Sequence, residues 1–188
     1  MRRILFCAAY AFGILLMSSG NVNSEGNQTL LVAHLRGFQE VPSVSTGATG
    51  EFRGRINPKD NSIDYELTYS GIKAANGTPG AVNQAHIHIG QRGVNGGIVL
   101  WFCQSAANPG PAGTPDCTSG SGQFTGTFTA ANVVAIGGTN VGQQVGAGDM
   151  AKVIAALRAG VAYANVHTPL STGGEIRGQV NVPRQDRN

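Results

Sequence analysis

Charge is scarce in this chain. Asp, Glu, Lys and Arg make up 12% of its 188 residues, which is not the composition of a coiled coil or a disordered segment. The 13 basic and 10 acidic residues form no cluster of Lys and Arg of the kind that marks a nucleic-acid-binding face. Beyond Met17 no apolar run reaches the roughly 20 residues that a membrane-spanning helix needs. There is no G-x-S-x-G nucleophile elbow and no glycine-rich phosphate loop. Histidine is sparse as well, with four in the chain.

The N-terminus reads as an export signal. Arg2 and Arg3 precede an apolar run from Ile4 to Met17, and Ser18, Ser19 and Gly20 follow. That order describes a secretory signal peptide, residues 1–24, cut between Gly20 and Ser24. Its loss removes two arginines and no acid, so the basic balance partly belongs to the signal. The remainder, a domain over 25–182 and a polar tail over 183–188, suffices for one hydrophobic core. A secreted, periplasmic or otherwise extracellular location follows, with no membrane span after cleavage. Cys7 leaves with the signal, whereas Cys103 and Cys117 remain. In an oxidising compartment these two pair, closing a loop rich in Pro and Gly. The alternative role for them is ligation of a soft metal.

Alternation is the strand signal. In Ile63-Asp64-Tyr65-Glu66-Leu67-Thr68-Tyr69 every second residue is apolar or aromatic, the pattern of a half-buried strand. Its carboxylates, Asp64 and Glu66, could form the acid pair of a glycosidase, but they read better as one solvated face. Similar segments lie near 29–36, 47–56, 84–90, 97–103, 121–129, 161–168 and 174–182. Asn95-Gly96 between two of them is a hairpin signal. Met150, Val153, Ile154 and Leu157 repeat at helical spacing between Asp149, a residue suited to the N-cap, and Gly160. The expected fold is all-β: a two-sheet, antiparallel, Greek-key-like β-sandwich, with one helix over about 149–159 lying on it.

The histidines carry what chemistry the sequence offers. In Gln84-Ala85-His86-Ile87-His88-Ile89-Gly90, alternation turns Ala85, Ile87 and Ile89 to the core and His86 and His88 to the outer face. In Tyr163-Ala164-Asn165-Val166-His167-Thr168 it turns Tyr163, Asn165 and His167 outward. If the two strands are neighbours, three imidazoles meet. Three protein ligands leave a position open for water or substrate, and neutral imidazole suits copper and zinc. Copper is favoured, zinc is the other candidate, and redox chemistry is open to a copper site. Free histidine titrates near pH 6.5, so acid near pH 5 should weaken binding. The competing reading is a non-catalytic extracellular binding or matrix module whose histidines brace loops, with a small molecule or an extracellular protein as partner. Whether the chain is an enzyme is left open. His34 reads as an ordinary strand histidine. Asn27-Gln28-Thr29 and Asn76-Gly77-Thr78 match glycosylation acceptors, relevant only in a eukaryotic secretory route.

Taken in order, these pieces resemble the CHRD family, the domain named from chordin and widespread in secreted bacterial proteins. The matching stretches are Leu35-Arg36-Gly37-Phe38-Gln39-Glu40-Val41-Pro42, the His86–His88 strand with Asn95-Gly96-Gly97, the His167 strand, and Gly174-Glu175-Ile176-Arg177-Gly178-Gln179. The resemblance implies an extracellular β-sandwich and no settled activity. Glu40, Asn165, Glu175 and Arg177 are candidates to support the site structurally. A looser likeness is to copper/zinc superoxide dismutase, which carries an H-x-H pair on a β-barrel. Four histidines are too few for its paired sites, and no histidine-and-aspartate zinc loop is present. Arg177 could imitate an anion-guiding arginine, although an ion pair with Glu40 or Glu175 suits it better.

Overall fold

The computed structural model describes residues 28–183. The signal peptide, Cys7, Asn27 and all of the tail but Pro183 lie outside them. Eight strands occur where alternation placed them: β1 Thr29–Arg36, β2 Thr49–Ile56, β3 Ser62–Ser70, β4 Gln84–Ile89, β5 Gly97–Cys103, β6 Gly122–Thr129, β7 Ala162–His167 and β8 Ile176–Gln179. One helix, α1, spans Met150–Arg158.

The strands do not form two separately paired sheets. They make one antiparallel sheet in the order β5-β4-β7-β8-β1-β2-β3-β6, curled nearly into a barrel. The reason lies at the β8–β1 seam, where Arg36 pairs with Arg177 and Val32 bridges Asn181. Gly178 permits this approach, since a Cβ there would lie 2.7 Å from the His34 carbonyl oxygen. The curl brings the outermost strands together inside the core. Phe102 of β5 stands 5.5 Å from Phe128 of β6, ring centre to ring centre, and 5.6 Å from Phe52 of β2. Tyr65 stacks on Phe128 at 4.0 Å. Burying each such ring stabilises by roughly 1.5–3 kcal/mol.

Helix α1 buries Met150, Val153, Ile154 and Leu157 against the same core, as its periodicity requires. Its predicted cap differs. The Asp149 carboxylate makes no cap hydrogen bond and instead accepts from the Gly146 N–H and Lys152 Nζ. At the other end Gly160 has φ +68°, the left-handed turn that glycine adopts freely after a helix. The Asn95-Gly96 signal falls in a seven-residue loop, 90–96, between β4 and β5, with Gly93 rather than Asn95 at positive φ. Cys103 and Cys117 are disulfide-bonded, their Cα atoms 4.9 Å apart. Among the described residues no helix is long and apolar enough to cross a membrane.

Candidate metal centre

β4 and β7 are neighbours, and their register sets the site. His86 lies opposite Asn165, His88 opposite Tyr163, and Gln84 opposite His167. Alternation sends Ala85, Ile87, Ala164 and Val166 into the apolar core. It sends the three histidines to the other face, where the ring centres of His86, His88 and His167 are 5.1–5.9 Å apart. Each offers a nitrogen, and these atoms all lie within 4.8 Å of one another.

One expectation is overturned. The histidines are on the face opposite the core, but that face is not wet: they are 0%, 7% and 6% exposed, in chain order. Loops and aromatics cover them. The Trp101 indole and the His86 ring meet in a T-shaped pair, ring centres 4.2 Å apart. Tyr163 lies parallel to His88 at 4.7 Å. Loop 90–96 gives its Gly96 carbonyl to His88 Nδ1 at 3.0 Å, and the turn after β7 gives the Thr172 carbonyl to His167 Nδ1 at 3.0 Å. A cleft of about 410 Å³, walled by His88, Gly97, Ile98 and Trp101 among others, reaches the cluster.

Those two carbonyls decide the tautomers. A carbonyl only accepts, so Nδ1 of His88 and of His167 carries the proton and Nε2 carries the lone pair. Both Nε2 atoms are buried and without a partner, as are both ring nitrogens of His86. The rings are neutral. Burial holds His86 well below the ordinary histidine value, with His88 and His167 adding to the effect. Burial pushes His88 down to about 3, against the opposing Gly96 hydrogen bond. Burial lowers His167 too, opposed by the Thr172 bond. The result is three neutral rings, each with one unpartnered lone pair, whose ligand nitrogens lie within 4.8 Å of one another, the donor chemistry a metal site would use.

The predicted supporting residues surround this cluster without hydrogen bonding to it. Glu40 Oε1 accepts from Asn165 Nδ2 at 2.6 Å. The Glu40 carboxyl is pushed up to about 7, chiefly by burial and against Asn165 and Arg177. Gly174, at φ +127°, makes room for that pair, because a Cβ there would collide with both side chains. Glu175 accepts from the hydroxyls of Thr46 and Thr168. Arg177 forms no ion pair with Glu40 or Glu175. It is 1% exposed, sits 3.4 Å over the Tyr163 ring, and donates to the Gln91 and Val94 carbonyls and to Asn95 Oδ1. Burial lowers its pKa from the usual arginine value, while Tyr163 and Glu40 favour its charge. Sequence reasoning missed Gly96, Thr172 and Trp101. A backbone carbonyl has no sequence signature, although the Asn95-Gly96 turn marked the loop that supplies one of them.

His34 is exposed on β1 and takes no part in the cluster. Asp64 and Glu66 form the surface face expected of them, accepting from Thr127 and Gln123.

An antiparallel β-protein that is disulfide-bonded and buries three neutral histidines beneath its loops is thereby defined. The chain belongs to the CHRD domain family, whose model matches residues 31–180. No curated protein and no solved structure matches the chain.

Proposed function

We propose that this CHRD domain is an exported metal-binding protein that holds one copper ion through Nε2 of His88 and His167 and a ring nitrogen of His86. The carrying observation is the group of four buried imidazole nitrogens without partners. Leaving a buried acceptor unsatisfied costs about 1–3 kcal/mol, and lone pairs that face one another add repulsion. A cation bound by one nitrogen of each ring satisfies the three lone pairs and removes their repulsion; the fourth nitrogen is the N–H of neutral His86. Two ligands bound at about 2.0–2.1 Å lie at most about 4.2 Å apart, so loading draws the rings together by a fraction of an ångström from a set lying within 4.8 Å. Only nitrogen donors are present, and among divalent ions copper binds such sites most tightly, ahead of zinc.

The loop-bracing alternative accounts for Nδ1 of His88 and His167, which do brace loops 90–96 and 168–174. It leaves His86 unexplained, since neither of its nitrogens holds anything. An adequate test uses chelator-stripped protein and melting temperature. Copper at about 100 times its dissociation constant should add roughly 2.7 kcal/mol, or about 5–10 °C for a domain of this size. A flat melting temperature across the titration would discard the metal reading in favour of the module.

A further inference from the structure

We infer that the centre favours the cuprous ion, Cu(I), over the dications Cu(II) and Zn(II), and that Arg177, acting through Tyr163, is the positioning residue that sets this preference. The inference rests on the metal reading above and adds the ion's charge to it.

The three candidate ligands are neutral imidazoles, with no carboxylate or thiolate in the cluster. Nothing in this donor set offsets the charge of an ion. Beside it stands the buried Arg177 guanidinium, with the Glu40 carboxylate as the nearby charge of opposite sign. The Arg177 guanidinium lies 3.4 Å from the Tyr163 ring centre, and Tyr163 stacks on His88 at 4.7 Å with the planes 1° apart. The guanidinium is buried, and its hydrogen-bond acceptors are two carbonyls and a side-chain amide, not anions. Among the described residues the ion pairs are Arg53–Glu51, Lys152–Asp149 and Arg158–Asp60. Arg177 therefore keeps its charge in a setting where solvent screens poorly. A dication at the histidines meets twice the repulsion that a monocation meets.

Arg177 also sets ligand geometry. Its three acceptors all belong to loop 90–96, the loop whose Gly96 carbonyl fixes the His88 tautomer. The same loop is tied to Tyr163, whose hydroxyl oxygen accepts from the Gly96 N–H at 3.2 Å. Removing the side chain altogether would disturb orientation and field together, so the test must separate them.

The full disulfide-bonded protein is stripped with chelator and studied at pH 8. The Cu(I) affinity is measured anaerobically by competition with bicinchoninate, and the Cu(II) and Zn(II) affinities by competition with glycine. Arg177→Lys retains a cation without the planar fork, and Arg177→Met retains bulk without charge. Glu40→Gln removes a nearby negative charge while keeping an acceptor for Asn165. A charge roughly 10 Å from the ion, at an effective dielectric near 20, changes the ratio of Cu(I) to Cu(II) affinity by about tenfold. The Met variant should lower that ratio by this factor, which for a one-electron couple is a potential lower by about 59 mV. The Lys variant should retain the wild-type ratio, and the Gln variant should raise it. If the Met variant fails to fold, the opposite-signed Gln variant decides. An unchanged ratio in both Met and Gln variants, or an equal drop with Lys and Met, overturns the charge role while the metal reading stands. Copper bound in neither state overturns both.

Discussion

The indole of Trp101 forms a T-shaped pair with the imidazole of His86, with ring centres 4.2 Å apart and planes at 78°. Trp101 is the only tryptophan in the chain, so the fluorescence of the protein reports from the wall of the candidate metal centre. Open-shell Cu(II) quenches an adjacent indole, whereas zinc, a d¹⁰ ion, does not. Titration with Cu(II) should quench most of the emission and saturate at one equivalent, and zinc should leave it nearly unchanged. Quenching that rises without saturation would mean collision with dissolved copper and no site.

Substitutions separate ligand from scaffold. His86→Ala, His88→Ala and His167→Ala should each abolish one-equivalent copper binding in calorimetry, and His34→Ala should not. His86→Phe sharpens the comparison. Replacing a buried unpartnered polar ring by an apolar one of similar shape is near neutral or stabilising, so the apoprotein should melt within a few degrees of wild type or higher. Its copper-dependent rise should vanish. Wild-type binding by His86→Phe would exclude His86 as a ligand.

Acid sensitivity has a calculable sign. All three histidines have folded pKa values below the ordinary 6.5, so the unfolded chain binds more protons. Their contribution to stability is complete above pH 6.5 and is lost as pH falls through and below it, by up to about 1.4 kcal/mol per pH unit for each ring. For His88 the loss continues toward about pH 3. Glu40 acts oppositely: its pKa rises from 4.5 to about 7, so its contribution is complete below pH 4.5 and lost by about pH 7. Denaturant titrations of apoprotein should show stability falling from pH 6 to pH 4, and more steeply in Glu40→Gln. A flat profile over that range would contradict neutral burial of the histidines.

The same burial revises the expected proton competition. An unperturbed pKa near 6.5 would weaken copper binding by pH 5. Burial lowers all three folded pKa values, that of His88 to about 3, so the copper-dependent rise in melting temperature should fall less between pH 7.5 and pH 5 than titration of free histidine would give. Its disappearance at pH 5 would mean that the folded histidines titrate like free ones.

The disulfide links the loop to the indole. Gly110 lies within the loop that Cys103–Cys117 closes, and a Cβ on it would fall 2.7 Å from the Trp101 ring. Replacing both cysteines by serine should cost roughly 3 kcal/mol in the chain-entropy model. It should also red-shift the Trp101 emission as the loop loosens. Unchanged emission would show that the loop holds its place without the bond.

Much of this was legible in residue order. Alternation located all eight strands, because each has a continuous apolar side facing the core. It also put His86, His88 and His167 on a shared face, because β4 and β7 keep their period. It could not tell whether that face was wet. The cover comes from Trp101, from Tyr163 and from two loops, and a period-2 pattern carries no information about distant chain folding over a strand. The curl into one sheet was hidden for a similar reason. It depends on the few bonds between β1 and β8 and on Phe102 reaching Phe128 across the core, both contacts between residues far apart in sequence. Arg177 was expected to seek a carboxylate, yet the Gln91 and Val94 carbonyls and the Tyr163 face receive it.

The two halves of the curled sheet differ in what their outer surfaces do. The strands β2, β3 and β6 present Arg55, Asp64, Thr125 and Thr127 to solvent, whereas β4, β7 and β8 bury the corresponding side under loops. For a chemist this makes the domain addressable from one direction. A dye, a surface tether or a reversed charge pattern placed at Thr125 or Arg55 is carried by a separate set of strands from the histidines. The protein could be anchored to an electrode or a bead through that side with its histidine-bearing side left facing the liquid.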